Sequence, residues 1–305
     1  MIDIVILGAG SRNPLPDKYL SSMILRFGGR QILVDCGEGT QAAIRKYGCG
    51  IKSIDGIAIT HFHGDHFFGL PGMLQSMEHA GRTVPVWIAG PAGLEETMER
   101  VLWLCGDLSF KIELRRQSRF ESIGLCVETF PLLHRIPTQG YAFTLNRAGK
   151  FLPEKAREFG IAMEKWSRLQ AGRSVGEITP DMVMGPPRRG LRIVYATDSR
   201  PSETIIEAAR GADLLILDAT YANEQKSEHA KTYGHMTFLE AARIAEKAQV
   251  KEAWFTHFSH SIGDPTQYLE EARNIYPPLF CAAEGMKKTL RFEEGVSCHN
   301  DVNGR

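Results

Sequence analysis

The seven residues Thr60-His61-Phe62-His63-Gly64-Asp65-His66 hold three of the ten histidines of this chain, with an aspartate among them. Residues sharing a helix face are three or four apart, so His61 and His63, two apart, share a face only on an extended backbone. The stretch therefore demands a strand end that opens into a loop. An apolar, β-branched run at 54–59 precedes it as a buried strand, and at Leu70-Pro71-Gly72-Met73-Leu74 a helical pattern begins with proline in its first turn. Loops at strand ends are where a rigid scaffold presents chemistry. Imidazole and carboxylate together, with no cysteine among them, suit a catalytic metal site better than a closed structural one.

The rest of the chain supplies that scaffold. Strand-like runs recur at 2–7, 22–27, 30–35, 54–59, 84–89, 125–132, 140–145, 191–196, 213–218 and 251–256. Helical patterns lie at 38–47, 69–80, 92–104, 202–210, 236–248 and 265–275. Strands interleaved with helices in both halves predict an α/β fold of layered sheets covered by helices. The segment 147–190 breaks the rhythm, with few β-branched residues and one short helical piece near 153–159; a stretch so long between strands is expected to be functional or disordered.

Four candidate ligands in seven residues cannot surround a metal, so partners are expected at other strand ends. His134, Asp198 and His257 each follow an apolar strand as its first ionisable residue. The net charge is zero, from 36 basic and 36 acidic residues, which excludes a globally basic nucleic-acid binder but leaves room for a local basic patch. The first residues lack the basic region and cleavage site of a signal peptide, and no apolar run is long enough to span a bilayer, so a cytoplasmic protein with no membrane association is expected. The six cysteines, at 36, 49, 105, 126, 281 and 298, form no metal-binding pair and suggest no disulfide framework.

With these strand-end residues added, the sequence resembles the metallo-β-lactamase superfamily, and within it the ribonuclease Z family of tRNA 3′-processing endonucleases. The resemblance rests on the histidine–aspartate run, on Asp35-Cys36-Gly37-Glu38-Gly39-Thr40-Gln41, and on Met184-Gly185-Pro186-Pro187-Arg188-Arg189-Gly190 leading to Asp198-Ser199-Arg200-Pro201. It extends from about residue 2 to about 277. It implies a metallo-β-lactamase-type αβ/βα sandwich, one domain over 1–305, with a protruding tRNA-binding arm inserted at about 147–180. It also implies two divalent metal ions, zinc by the donor set with manganese or cobalt also compatible. One would be held by His61, His63 and His134, the second by Asp65, His66 and His257, with Asp198 bridging. Two such ions can clamp the attacking and leaving oxygens of a phosphoryl displacement.

By the same resemblance Asp65 is also the proton acceptor, and His235 is the general acid that protonates the departing 3′ oxygen, with Asp218 orienting it. Asp35 is expected outside the ligand shell, fixing a histidine tautomer. Three departures stand out. The family has glutamate where this chain has Asp218, one methylene shorter, so whether it reaches His235 is open. Ala162-Met163-Glu164-Lys165-Trp166-Ser167-Arg168-Leu169 replaces a Gly-Pro-rich stretch of the arm, and Ser259-His260-Ser261-Ile262 replaces a motif carrying arginine. Within 147–173 the basic residues are Arg147, Lys150, Lys155, Arg157, Lys165, Arg168 and Arg173, against three glutamates. Lys150, Lys155, Arg157, Lys165, Arg168 and Arg173, with Arg188 and Arg189, are therefore the expected RNA contacts. The activity implied is cleavage of precursor tRNA at its 3′ side by a homodimeric enzyme, leaving a 3′-hydroxyl. The alternatives are a superfamily hydrolase acting on small phosphodiesters, lactones or thioesters, and a weakly active tRNA-binding protein.

Overall fold

The structure, a computed structural model, describes residues 1–16 and 18–293; Cys298 lies outside the described residues. Its fourteen strands are β1 Ile2–Gly8, β2 Ser22–Phe27, β3 Arg30–Val34, β4 Ile54–Ala58, β5 Val86–Ala89, β6 Ile112–Arg115, β7 Arg119–Ser122, β8 Leu125–Pro131, β9 Gln139–Arg147, β10 Arg188–Ala196, β11 Leu214–Asp218, β12 Ala253–Thr256, β13 Leu279–Cys281 and β14 Lys287–Leu290. They form two seven-stranded mixed sheets, ordered β14-β1-β2-β3-β4-β5-β6 and β13-β12-β11-β10-β9-β8-β7. Each sheet has the same grammar. Three antiparallel steps, β14 to β3 or β7 to β10, are followed by three parallel ones, β3 to β6 or β10 to β13.

Side chains alternate across a strand, and here both faces are covered, so the central strands are apolar at nearly every position. Ile2, Ile4 and Ile6, Met23 and Leu25, and Ile32 and Val34 point into the space between the sheets, where they join Val127, Tyr141, Phe143, Ile193 and Tyr195. The alternate residues Val5, Leu7, Ile24 and Leu33 pack outward on helices Leu70–His79 and Leu94–Cys105 through Met73, Leu74, Met77, Met98 and Val101. Helices Glu203–Ala209, Phe238–Ala248 and Leu269–Ile275 cover the other sheet through Ile205, Ala241, Ile244 and Leu269. The result is a helix–sheet–sheet–helix sandwich, as expected from the resemblance.

Strands β6, β7, β13 and β14 and the helix Ser227–Tyr233 were absent from the sequence reading. The chain between β9 and β10 is ordered rather than featureless. Its short helices Pro153–Glu158, Trp166–Gln170 and Pro180–Val183 enclose a small core of Ala156, Ile161, Leu169 and Val183, with Phe151, Trp166, Ile178 and Met182 against it. The base of the excursion is closed where Phe151 bridges Met184 and Gly185 N–H donates to Lys150 O. Among the described residues no helix is long and apolar enough to cross a membrane.

Candidate metal centre

The chemistry-bearing residues collect at the C-terminal ends of the strands, along one edge of the sandwich. Asp35 follows β3, the run 60–66 follows β4, His134 follows β8, Asp198 follows β10, Asp218 ends β11 and His257 follows β12. His61 and His63 lie on the non-helical stretch after β4, with His63 on extended backbone, and the chain then turns into a one-turn helix, Gly64–Phe67, that carries Asp65 and His66. Asp35, Asp198 and His257 all have left-handed backbone, with φ of 58°, 57° and 63°. For non-glycine residues this costs energy and is found where surrounding structure dictates the aim of a side chain.

The turn that carries Asp65 and His66 is held by a close approach at Gly37. A Cβ at Gly37 would lie 2.0 Å from Asp65 O, and one at Gly69 would lie 2.0 Å from Gly37 O. Only glycines allow this approach, in which Cys36 N–H donates to His66 O and Gly69 N–H to Cys36 O. The Asp35-to-Gln41 motif is thus a backbone clamp on the turn that presents Asp65 and His66.

The donors converge in groups. Donor atoms of His61, His63, His134 and Asp198 lie within 4.8 Å of one another, as do those of Asp65, His66 and His257. Asp198 stands between the groups and divides its oxygens. Oδ2 is 3.6 Å from His61 Nε2 and 4.0 Å from His134 Nε2, whereas Oδ1 is 3.2 Å from both His66 Nε2 and His257 Nε2. Asp65 Oδ2 lies 3.3 Å from His257 Nε2 and 3.8 Å from His66 Nε2.

Neighbouring side chains fix which nitrogen of each ring is bare. Thr60 donates both its N–H and its hydroxyl to Asp35 Oδ1, at 2.8 and 3.0 Å, so Thr60 Oγ1 is left to accept from His61 Nδ1 at 3.1 Å. His66 Nδ1 donates to Asp35 Oδ2 at 2.8 Å. The second half repeats the device: Thr220 donates N–H and hydroxyl to Asp218 Oδ1, at 2.9 and 2.7 Å, and accepts from His257 Nδ1 at 2.9 Å. His134 Nδ1 donates to Gly234 O at 3.0 Å. With Nδ1 of each ring engaged in this way, His61, His66, His134 and His257 all turn Nε2 towards Asp198, and the neutral form of each ring offers a lone pair there.

A metal fits this arrangement. His63 Nδ1 meets both His61 Nε2, at 2.9 Å, and His134 Nε2, at 3.2 Å, although one nitrogen carries at most one hydrogen to share between them, and the buried Asp198 Oδ1 has no hydrogen-bond partner. Bonds of about 2.0–2.1 Å to a tetrahedral ion set neighbouring nitrogens about 3.3–3.4 Å apart, close to these spacings. The chain thus has clustered histidine and aspartate donors of the kind that bind divalent metal ions.

Electrostatics follow the same geometry. Burial, with His66 and the other histidines nearby, holds His61 well below the usual imidazole range, and burial likewise lowers His63 and His134. Burial opposes ionisation of Asp198, yet His257, His66, His61 and His235 hold it well below the usual carboxylate range. Asp65, also opposed by burial, is lowered by the hydrogen bond from His257 and the charges of His66 and His257. Burial disfavours charge on His66, but Asp198 and Asp35 outweigh it and raise His66 well above the ordinary value. A metal competes for that proton, so loading is expected to release it.

His235 also falls within reach of Asp198, Asp218 and His257. Its Nδ1, however, donates to Asp218 Oδ2 at 2.9 Å, which settles the question left by the shorter aspartate. Asp218 is filled, since Ser199 N–H also donates to Oδ2. Burial works against the imidazolium, but Asp218 and Asp198 push His235 up to about 8. Its other nitrogen is available to a cavity of about 450 Å³ lined by His235, His63, Asp65, Asp198 and His257.

Several contributors escaped the sequence reading. Thr60 immediately precedes the histidine run and Thr220 lies two beyond Asp218, so strand-end position could have signalled both. Arg200 stood in the Asp198-to-Pro201 motif without a role of its own: it donates N–H to Leu133 O, and its guanidinium reaches His235 O at 2.6 Å and both oxygens of Glu240, tying the His134, Asp198 and His235 loops together. Of the expected RNA contacts, Lys150, Lys155, Arg157, Lys165, Arg168 and Arg173 are exposed on the excursion. Arg188 and Arg189 lie instead in β10, where Arg188 donates to Ala148 O and Arg189 pairs with Asp213 at 3.0 Å.

Comparison with known proteins agrees with the geometry. The model of the family described as anti-Pycsar protein Apyc1 matches residues 2–148, and that of the beta-lactamase superfamily domain matches residues 161–258. Ribonuclease Z of Agathobacter rectalis is 42% identical over 302 residues, covering 96% of this chain and 100% of that protein. Ribonuclease Z of Lachnoclostridium phytofermentans is 40% identical over 303 residues, covering 96% and 99%. The chain belongs to the ribonuclease Z family. The crystal structure of the short form of human tRNase Z superposes with a TM-score of 0.68 at 25% identity, covering 95% of this chain and 100% of that one. Membership spans both sheets of the sandwich, so the metal-centre residues from both halves fall within the ribonuclease Z alignment.

Proposed function

We infer that this enzyme is a metal-dependent endoribonuclease that cuts precursor tRNA at the 3′ side of the mature sequence, removing the trailer and leaving a 3′-hydroxyl. The observation that carries the reading is the 42% identity over 96% of the chain to a Ribonuclease Z, on a chain whose strand ends gather the donors described above.

His61, His63, His134 and Asp198 Oδ2 would hold one divalent ion, and Asp65, His66, His257 and Asp198 Oδ1 a second; zinc suits the imidazole and carboxylate donors, and manganese or cobalt are compatible. Bound there, such ions supply Lewis acidity that acidifies water and neutralises charge on the reacting phosphate. Asp65, ionised at neutral pH, orients the attacking water and accepts its hydrogen bond. His235 carries the proton for the other side of the reaction. Held through Nδ1 by Asp218, its imidazolium presents Nε2–H to the leaving 3′ oxygen as the P–O3′ bond breaks, giving a 3′-hydroxyl on the tRNA and a 5′-phosphate on the trailer. Asp35 sets the tautomer of His66.

The exposed basic residues of the excursion would hold the body of the tRNA, since phosphate contacts supply affinity without reading sequence. A cytoplasmic location follows from the substrate, and the five described cysteines, all unpaired, suit a reducing compartment. The family resemblance carries a homodimer into the same reading, and sedimentation would measure it. The test is incubation of metal-loaded protein with precursor tRNA and sizing of the products. A 3′-hydroxyl tRNA and a 5′-phosphorylated trailer are expected. Hydrolysis of a small chromogenic diester with precursor tRNA left intact would overturn the reading in favour of a small-molecule phosphodiesterase.

A further inference from the structure

The catalytic cavity opens past a group of residues that neither the metal nor proton transfer requires. Arg12, Arg135 and Tyr233 all line it. The guanidinium carbon of Arg12 lies 6.0 Å from the centre of the Tyr233 ring and that of Arg135 lies 5.2 Å from it. Among the described residues neither guanidinium forms an ion pair, unlike those of Arg100, Arg115, Arg116, Arg189, Arg192 and Arg200. Two like charges gathered about one ring, without a carboxylate between them, repel each other unless an anion joins them.

The position is fixed by the centre itself. Arg135 follows His134, Tyr233 precedes Gly234, whose carbonyl accepts from His134 Nδ1, and the backbone N–H of Arg12 donates to Asp65 Oδ2 at 2.8 Å. Arg12 makes that bond from a left-handed backbone, φ 66°, a strain that points its amide at one candidate ligand while its side chain reaches the tyrosine. Cations interleaved with an aromatic face are how single-stranded nucleic acid is gripped: guanidinium on phosphate, ring against base.

We propose that Arg12, Arg135 and Tyr233 form a nucleotide-gripping subsite at the mouth of the cavity, in which the two arginines hold the phosphates flanking the scissile one and Tyr233 stacks on an adjoining base. The proposal rests on the reading of the protein as a nuclease for precursor tRNA. The subsite aligns the single-stranded 3′ end across the centre, whereas the distant excursion holds the folded part of the tRNA.

The test compares wild type with Arg12→Gln, Arg135→Gln and the charge-preserving Arg12→Lys and Arg135→Lys, after metal content and melting temperature establish that each is assembled. Each Gln variant is expected to raise KM for precursor tRNA about tenfold or more. Each is also expected to lower the slope of log affinity against log salt by about 0.7 to 1. The Lys variants keep the slope and lose only the forked contact. Replacing each flanking phosphate in turn by a neutral methylphosphonate should weaken wild-type binding, and add no further loss in the variant that has lost its partner. Unchanged salt slopes in the Gln variants, or fully additive losses with the neutral substrates, overturn the subsite while leaving the proposed function standing. Wild-type protein that leaves precursor tRNA uncut overturns both.

Discussion

Thr220 has a duty that its small size hides. Its hydroxyl hydrogen is taken by Asp218, so the oxygen can only accept from His257, and this keeps His257 Nε2 bare. Thr220→Val keeps the shape and removes the acceptor, freeing the ring to adopt the tautomer that binds no metal. Metal affinity, measured by competition with a chromogenic chelator, should fall about 10–100-fold, the usual effect of removing a partner of a metal-bound histidine. Thr220→Ser should retain it; wild-type affinity in the valine variant would remove Thr220 from this role. His235 makes a second expectation at this scale. Its affinity for the proton is raised to about 8, so the acid form dominates below that pH and is lost as pH rises through it. Metal cations nearby can only lower the value. Cleavage of precursor tRNA should therefore show an alkaline limb at or below about pH 8. A diester with a good leaving group, which needs little protonation, should lack it, and His235→Ala should slow only the former, by about 10²–10⁴ with metal content unchanged. Equal damage to both substrates would make His235 structural.

Among the elements, the turn clamped by Gly37 gives a clean separation of support from ligation. Gly37→Ala replaces no proposed ligand, yet its methyl must displace the backbone carbonyl of Asp65. A cost of about 1–3 kcal/mol in a denaturant melt is expected, together with weakened metal binding. Normal metal affinity would mean that the clamp only packs. The excursion between β9 and β10 should behave in the opposite way: replacing 150–174 with a short Gly/Ser linker should leave metal content intact, raise KM for precursor tRNA and flatten its salt dependence, an assignment that unchanged affinity and slope would end. Elements also show where the sequence was legible. The ten strands read from it are those with helix or sheet on both faces, apolar at almost every position. The four that escaped, β6, β7, β13 and β14, are the outer strands of the two sheets, three or four residues long and carrying charges such as Glu113, Arg119, Glu121 and Lys287. Sheet edges must resist further pairing, and the shortness and charge that do so erase the apolar signal. His134, Asp198 and His257 were legible because each follows an apolar strand, whereas His235 follows a short helix and was reached only through the family resemblance. Arg12 and Arg135 sit on irregular chain and Tyr233 at the last residue of a short helix, where no apolar periodicity marks them.

Seen as a whole, the molecule joins its halves through the centre. His61, His63, Asp65 and His66 belong to the first sheet's loops, and His134, Asp198 and His257 to the second's. Ions held between them would tie one sheet to the other and bind only the folded state. Stripping metal with a chelator should lower the melting temperature, and ion at 1,000 times its Kd corresponds to about 4 kcal/mol of stabilisation. Asp198→Ala, lacking the shared carboxylate, should carry less metal and melt at one temperature with or without chelator. An unchanged melting temperature in wild-type protein shown to have lost its metal would separate the centre from stability.

The order in which the strands are used has a consequence for synthesis. A growing chain exposes the histidine run early, but Asp198 and His257 emerge much later, and the first sheet stays open beside β1 until β14 pairs Leu290 with Ile2. On the proposed ligand assignment, a nuclease made among RNA would therefore gain its cutting edge only late in its own translation, once β12 and the His257 that follows it have been added.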